Sequence, residues 1–186
     1  MRNAVKIFAN HGFGGASVSE IAAACSVSKS ILYHYFNSKE DILYAAMQAH
    51  MEVLSATTDL SAYRGIDPSG WFQHLALNLL EHYAGAADSQ KVLLNELDFL
   101  APDQRANIVR QQRRLVDFAQ QCLVEAVSPL RPERTQVRAH VMLFFGMINW
   151  SHSWFDPDRG VSRTDLARQA ANAAVTGLRS WTTSRA

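Results

Sequence analysis

The feature that most constrains this 186-residue chain is that nowhere do apolar and polar side chains alternate over the length of a strand. Between turn signals, apolar residues instead recur three and four positions apart, the spacing of a helix. The turn signals are HGFGG at 11–15, RGIDPSG at 64–70, Pro102, SPLRP at 128–132 and DPDRG at 156–160. The sequence therefore predicts an all-α protein of about nine helices, near residues 1–10, 18–24, 28–34, 38–60, 68–85, 89–98, 102–127, 131–154 and 162–181.

Composition excludes several classes of protein. With 48% hydrophobic and 19% charged residues, the chain is typical of a folded globular protein. Two cysteines, Cys25 and Cys122, are too few for a disulfide framework or a four-cysteine zinc site, which favours a reducing compartment. The longest charge-free run, 139–155, is interrupted by polar residues and is shorter than the ~20 apolar residues of a membrane span. No export signal is visible, so we expect a cytoplasmic protein. We also expect it to bind neither a cofactor nor a metal.

Positive charge is concentrated at one end of the chain. The net charge of the whole chain is only +1, but residues 1–39 carry four bases, Arg2, Lys6, Lys29 and Lys39, against one acid, Glu20. This end therefore has a net charge of +3, which favours a local site for an anionic partner such as nucleic acid.

Two helix-start signals lie within this basic end. The segment Ser17-Val18-Ser19-Glu20 has the pattern of a capping box, and Ser28 is a second N-cap candidate. The two short helices that they begin are separated by a three-residue turn, as in a helix-turn-helix.

On the second of these helices, four residues are predicted to make apolar contacts and four to point outward. The first group is Ile31, Leu32, Tyr35 and Phe36, and the second is Lys29, Ser30, Tyr33 and His34. The next helix opens at Ser38, and its first backbone N–H groups with Lys39 form a candidate phosphate clamp.

The run FANHGFGGASVSEIAAACSVSKSILYHYFNSKEDIL resembles the N-terminal DNA-binding domain of the tetracycline-repressor (TetR) family over about 36 residues. The resemblance implies a three-helix helix-turn-helix head in residues 1–45 and a ligand-binding and dimerisation body in 46–186. It also implies a homodimer that binds a palindromic operator in double-stranded DNA and is released as a repressor by a small effector.

The resemblance further implies which residues face DNA. These are Ser17, Val18, Ser19, Ser28, Lys29, Ser30, Tyr33 and His34, with Lys39 on a phosphate. The chain departs from the family pattern at Ser26, which replaces a turn glycine and would need a positive φ, and at Val18, which lacks the hydroxyl of the frequent threonine. The first helix also begins about two turns late, so some phosphate contacts would be missing.

Two helices of the body are candidates for a dimer surface. The eighth, VRAHVMLFFGMINWSHSW, is apolar on every side, which indicates that it is covered all round. The predicted dimer residues are Met142, Gly146, Trp150 and Ser153 on this helix and a stripe on the last helix, Ala167, Ala170, Ala171, Ala174 and Leu178. The alternative is that both stripes belong to the core of one chain.

Polar residues within apolar helix faces predict a small-molecule pocket in the body. The predicted pocket residues are Trp71, Asn78, His82, Arg105, Gln111, Gln112, Asn149 and Trp150. The alternative is that each polar member is a core residue with partners inside the chain.

The body is also similar to TetR-family members that respond to coenzyme A thioesters, such as regulators of phenylacetate or fatty-acid degradation. On this interpretation, the seven arginines of residues 105–138 would bind the phosphates of an acyl- or aryl-coenzyme A. The alternatives are that these arginines are surface charge and that the effector is a hydrophobic, drug-like or aromatic small molecule.

The sequence does not indicate an enzyme. Ser151 and His152 are neighbours that point about 100° apart on a helix, and the pairs His74/His82 and His140/His152 lack metal-ligand spacing. A DNA-binding transcriptional regulator is the predicted function, and a helical partner-binding scaffold with a degenerate head is the alternative.

Overall fold

The structure is a computed structural model that describes residues 1–156 and 158–184, and within them it contains nine α-helices and no strand. The predicted all-α architecture is therefore confirmed. The helices are α1 (Arg2–Gly15), α2 (Val18–Ala24), α3 (Lys29–Tyr35), α4 (Lys39–Ala56), α5 (Trp71–Gly85), α6 (Ala87–Asn95), α7 (Pro102–Ala126), α8 (Arg134–Trp150) and α9 (Arg163–Thr183). Four predicted helices extended beyond the observed α-helices into short 3₁₀ turns, which lie at Leu60–Tyr63, Pro68–Gly70, Leu97–Phe99 and Ser151–Ser153.

The chain forms two compact units. The first combines Met1–Val53 with Ala86–Gln112, and the second combines Leu54–Gly85 with the described residues from Arg113 onward. The first unit therefore contains α6 and the start of α7 in addition to the three-helix head. The functional division at residue 45 stays a prediction.

The first unit has an apolar core that α1, α2, α4 and α6 supply. Its largest fully buried side chains include Phe8, Ile21, Leu43, Met47 and Met51. Helix α1 packs against both α2 and α6. Because α2 and α3 have only seven residues each, they are too short to be stable alone and depend on this packing.

Helix α1 contains a backbone break that the sequence analysis did not resolve. A helix was predicted over residues 1–10, but helical residues continue to Gly15 beyond Gly12, which has φ 68° and ψ 169°. A positive φ of this kind favours glycine, since a Cβ would be strained there. Phe13, the first residue after the break, stacks on Phe99 with the ring centroids 4.8 Å apart.

Ser26, in the turn between α2 and α3, has a φ of 56°, so the predicted positive φ is confirmed. A left-handed conformation costs a non-glycine residue about 1 kcal/mol or more, and a glycine variant avoids this cost. The greater conformational freedom of glycine in the unfolded chain offsets part of that gain. We therefore expect Ser26→Gly to raise the free energy of unfolding by about 0.5–1 kcal/mol, measured by urea denaturation. Ser30→Gly, within helix α3, should lower it instead.

The second unit is built on α5, α8 and α9, with α9 packed against the other two. The Phe72 ring of α5 lies 4.7 Å from the Phe144 ring of α8, measured between centroids. On α8 the buried residues recur three and four positions apart, at Val137, Val141, Phe144 and Ile148. This spacing buries one face of α8 in the unit's core and leaves the opposite face outside.

Candidate nucleic-acid interface and effector pocket

Side-chain caps fix where the two short helices begin. The Ser17 hydroxyl accepts a hydrogen bond from the Glu20 N–H at 3.1 Å, and a Glu20 carboxylate oxygen accepts from the Ser17 N–H at 3.3 Å. This reciprocal pair is the predicted capping box. At α3, the Ser28 hydroxyl accepts from the Ile31 N–H at 3.2 Å. Both predicted caps are therefore confirmed, and they set the geometry of a helix-turn-helix.

Helix α3 exposes almost its whole surface. Lys29, Ser30, Tyr33 and His34 are exposed, as predicted. Leu32 is its one buried residue.

The prediction that Ile31 and Tyr35 make core contacts is wrong, because their side chains are 49% and 74% exposed. Ile31 lies about 100° round the helix from Leu32, the buried residue of α3, and therefore lies away from the buried side. That angle is the signal by which the sequence could have placed Ile31 on the outer face. Ile31 and Tyr35 therefore join the candidate interface.

The Lys39 ammonium, at the start of α4, is held by the end of α1. Its Nζ donates hydrogen bonds to the Phe13 carbonyl at 2.6 Å and to the Ala16 carbonyl at 2.8 Å, and it lies 4.1 Å from the Phe13 ring centroid. A lysine ammonium has three N–H donors, so one donor remains beyond these two carbonyls. Lys39 therefore has a structural role, and its predicted phosphate contact remains a prediction.

An apolar groove of about 1040 Å³ runs along the outer face of α8 and α9. Four of its residues, Met142, Gly146, Trp150 and Ala170, belong to the predicted dimer surface. Gln169 is the one polar residue in the lining, which consists of Ala139, Met142, Leu143, Gly146, Met147, Ile148, Trp150, Trp154, Leu166, Gln169, Ala170 and Ala173.

The small-residue stripe of α9 lies in the core of the second unit, where its side chains are almost fully buried. The stripe is Ala167, Ala170, Ala171, Ala174 and Leu178. These residues let α9 approach α5 and α8 closely. The alternative interpretation, an intramolecular role, therefore holds for this stripe, although Ala170 also borders the groove. Ser153, which was also predicted to lie in the dimer surface, donates a hydrogen bond from its hydroxyl to the Trp150 carbonyl at 2.7 Å.

Several of the predicted pocket residues already have partners in the chain. In the second unit, the Trp71 indole N–H donates to the Ile66 carbonyl at 3.1 Å, and the Tyr83 hydroxyl donates to Asn149 Oδ1 at 2.9 Å. Asn78 and His82 are half-buried on α5, and Trp150 is exposed on the groove.

The other three predicted pocket residues lie in the first unit. There Arg105 forms an ion pair with Asp98 at 2.9 Å, and the Gln111 amide donates to Gln48 Oε1 at 2.6 Å. Gln112 is half-buried on α7. The eight residues are thus divided between the two units, and their role in binding an effector remains a prediction.

The second unit holds two titratable groups in neutral form. Burial raises the pKa of the Cys122 thiol to about 12, and burial also raises the pKa of the Tyr63 hydroxyl, which donates to the Thr57 carbonyl at 2.8 Å. Both groups therefore remain protonated at neutral pH and serve as core residues. Among the residues that the structure describes, no three His, Cys, Asp or Glu side chains could together hold a metal ion.

No helix in the described ranges 1–156 and 158–184 is long and apolar enough to cross a membrane.

Ser151 and His152, the neighbours that the sequence analysis did not interpret as a catalytic pair, contact different carbonyl groups. The Ser151 hydroxyl donates to the Ile148 carbonyl at 2.6 Å, and His152 Nδ1 lies 2.6 Å from the Asn149 carbonyl oxygen. Both side chains therefore contact the backbone of the preceding turn.

A capped helix-turn-helix with an exposed second helix, followed by a helical body with an apolar outer groove, defines a helix-turn-helix transcriptional regulator. Residues 1–46 match the family described as bacterial regulatory proteins, tetR family, and residues 66–178 match the tetracyclin repressor-like C-terminal domain. The chain belongs to the TetR family of transcriptional regulators.

Individual relatives extend the similarity over nearly the whole chain. A TetR-family regulator from Bordetella parapertussis 12822 is 34% identical, with a TM-score of 0.85 over 94% of this chain and 91% of that one. The structure of AibR in complex with isovaleryl coenzyme A and operator DNA is 26% identical, with a TM-score of 0.77 over 91% of this chain and 92% of that one. The transcriptional activator FasR of Mycolicibacterium smegmatis is 26% identical over 94% of this chain and 79% of its own length.

Proposed function

We propose that the protein binds a palindromic operator as a homodimer and is released from it by a small effector. The observation that carries the proposal is the outer face of α3, where Lys29, Ser30, Tyr33 and His34 are exposed in the basic end of the chain. Exposed polar side chains on such a helix can contact base edges in the major groove.

The residue types suggest different roles on the DNA. Lys29 and Ser30, on the first turn of α3, are suited to base edges, since the recognition helix of a helix-turn-helix contacts bases near its N-terminus. Tyr33 and the remaining donor of Lys39 are suited to phosphates. Ser17, Val18, Ser19, Ser28 and His34 keep their predicted places on this interface, and exposed Ile31 and Tyr35 offer apolar contacts to thymine methyl groups.

The homodimer is supported by the groove of α8 and α9. The groove exposes several large apolar side chains side by side, among them Leu143 and Trp150, and contiguous exposed apolar side chains mark an interaction site. A second copy is the occupant proposed here, because the same groove on both copies gives a two-fold contact and a two-fold protein matches a palindromic operator. The two heads would then contact half-sites about 34 to 36 Å apart.

A coenzyme A thioester is the effector that we propose. AibR, which is similar over most of this chain, was solved with isovaleryl coenzyme A, and the seven arginines of residues 105–138 are candidates for the phosphates. Effector binding would favour a state in which the heads no longer match the operator. Repression, rather than the activation in the name of FasR, is the mode proposed here.

The proposal includes neither an enzyme activity nor a bound cofactor. Its cytoplasmic location follows from the proposed target, since bacterial operator DNA lies in the cytoplasm. The alternative of a partner-binding scaffold predicts instead that the head shows no affinity for DNA.

Substitutions of Tyr33 test the DNA interface. Tyr33→Ala is expected to weaken binding to the DNA upstream of the protein's own gene about 10- to 100-fold, because a hydrogen bond worth about 0.5–1.5 kcal/mol is lost in each of the two half-sites. Tyr33→Phe removes only the hydroxyl and therefore distinguishes its contribution to the affinity from that of the ring. Val53→Ala, at an exposed apolar position on α4, is the control. Unchanged affinity for Tyr33→Ala, measured by fluorescence anisotropy, would remove Tyr33 from the interface.

The effector is tested by titrating the protein–DNA complex with isovaleryl-, phenylacetyl-, benzoyl- and long-chain acyl-coenzyme A and with the corresponding free acids. Release by one thioester and not by its free acid supports the proposed effector class. Release by a free acid or another aromatic compound alone contradicts it and favours the drug-like alternative.

A further inference from the structure

The backbone break in α1 makes residues 13–16 a separate helical turn immediately before α2. The Ala16 N–H donates to the Gly12 carbonyl at 3.1 Å, so Gly12 takes the N-cap position of this turn and Phe13 is its first residue. The first N–H groups of any helical turn lack partners in the preceding backbone. Ala16 is followed directly by Ser17, the N-cap of α2, so the orientation of this turn determines where α2 begins.

Glu96, which lies between α6 and the 3₁₀ turn Leu97–Phe99, supplies the missing acceptor. One oxygen of its carboxylate accepts the Phe13 N–H at 3.1 Å. The other oxygen would lie 3.5 Å from a Cβ at Gly12, so the carboxylate sits against the break itself. Phe99, three residues further along the chain, stacks on the Phe13 ring. Segment 96–99 therefore contacts both the backbone and the side chain of Phe13.

The opposite end of the same turn is held by Lys39, which donates to the Phe13 and Ala16 carbonyls. A carboxylate at the N–H end and an ammonium at the carbonyl end both stabilise a helical turn through its dipole. One charge comes from the segment after α6 and the other from α4. The turn before α2 is thus held between two charged side chains that are distant in sequence.

We propose that Glu96 is a positioning residue for DNA binding: its carboxylate holds the Phe13–Ala16 turn, and through it α2, in the DNA-binding orientation. The inference rests on the proposed binding of operator DNA.

The sign of the effect separates positioning from electrostatics. Removing a negative charge from a DNA-binding protein should strengthen its binding to a polyanion, whereas losing a positioning contact should weaken it. We expect Glu96→Ala to weaken binding to the upstream DNA about tenfold, and Glu96→Gln, which retains an oxygen acceptor, to stay within about threefold of wild type. Asp103→Ala, an exposed charge on α7 in the same unit, is the charge-matched control and should bind as tightly as wild type or slightly more tightly.

Amide hydrogen exchange tests the contact without DNA. In Glu96→Ala, the Phe13 amide should exchange at least about tenfold faster while the Phe8 amide on the same helix is unchanged. All affinities are measured at a temperature at which circular dichroism shows each variant fully folded, so a loss of binding does not reflect unfolding.

Three results would overturn the inference. The first is Glu96→Ala binding DNA as tightly as wild type, and the second is a Phe13 amide whose exchange rate does not change. The third is an equal loss of affinity for Glu96→Ala and Asp103→Ala, because the loss would then not depend on the contact with Phe13. Wild-type protein that binds no DNA contradicts the operator proposal instead, and the Phe13 amide then still decides whether Glu96 holds the turn.

Discussion

Leu143→Glu is expected to convert the protein into a monomer and to weaken its binding to operator DNA more than 100-fold. Leu143 is 66% exposed on the groove of α8 and α9, whose lining is apolar apart from Gln169. A two-fold interface would bury this residue from both copies, so a single substitution places two unpaired carboxylates in it. Each buried, unpaired charge costs several kcal/mol, and two of them are expected to offset most of the free energy of association of an ordinary dimer.

Size-exclusion chromatography with light scattering measures the mass of this variant, and anisotropy measures its DNA affinity. Leu60→Glu is the matched control, since Leu60 is a 54%-exposed leucine of the same unit outside the groove lining. The control should remain a dimer with wild-type DNA affinity. A Leu143→Glu protein that is folded and still dimeric would show that the two copies meet elsewhere.

Lys39→Met is expected to lower the free energy of unfolding by about 2–3 kcal/mol and also to weaken DNA binding. The variant loses two charged hydrogen bonds to carbonyls, each worth more than a neutral one, and the contact of the ammonium with the Phe13 ring. If the third donor binds a phosphate, the slope of log affinity against log salt should also fall by about 1 for each head. Chemical denaturation and anisotropy over a range of salt concentrations measure the two effects separately.

Lys29→Met distinguishes the structural role of Lys39 from its role on DNA. Lys29 is exposed at the start of α3, so its loss should weaken DNA binding while leaving the free energy of unfolding within about 0.5 kcal/mol of wild type. An unchanged salt slope for Lys39→Met would assign Lys39 to structure alone. Unchanged stability would contradict the role of its two carbonyl contacts.

The features predicted correctly from the sequence depend on interactions between near neighbours in the chain. The Ser17–Glu20 capping box and the Ser28 cap are each complete within three residues, and the positive φ of Ser26 follows from its place in a short turn. The prediction that α8 is apolar on every side could not tell which side of that helix faces its own core.

The features that sequence reasoning missed depend on contacts between distant segments. Nothing near Phe13 indicates that a carboxylate 83 residues away accepts a hydrogen bond from its backbone N–H. Lys39 occupies the sequence position of a phosphate ligand. Only the fold brings its ammonium to the carbonyl of Phe13 in α1 and to that of Ala16, the residue after α1. The alanine stripe of α9 has the same spacing whether it faces its own unit or a second copy, and the structure places it inside.

The central claim, a DNA-binding regulator, is tested most directly by anisotropy of the purified wild-type protein on DNA upstream of its own gene, with a scrambled fragment of equal length as the control. At about 0.15 M salt, we expect a Kd on the order of 10⁻⁸ M or tighter for the upstream fragment and at least about 1,000-fold weaker binding to the scrambled one. Equal and weak binding to both fragments, at 10⁻⁶ M or above, would contradict operator recognition at this DNA.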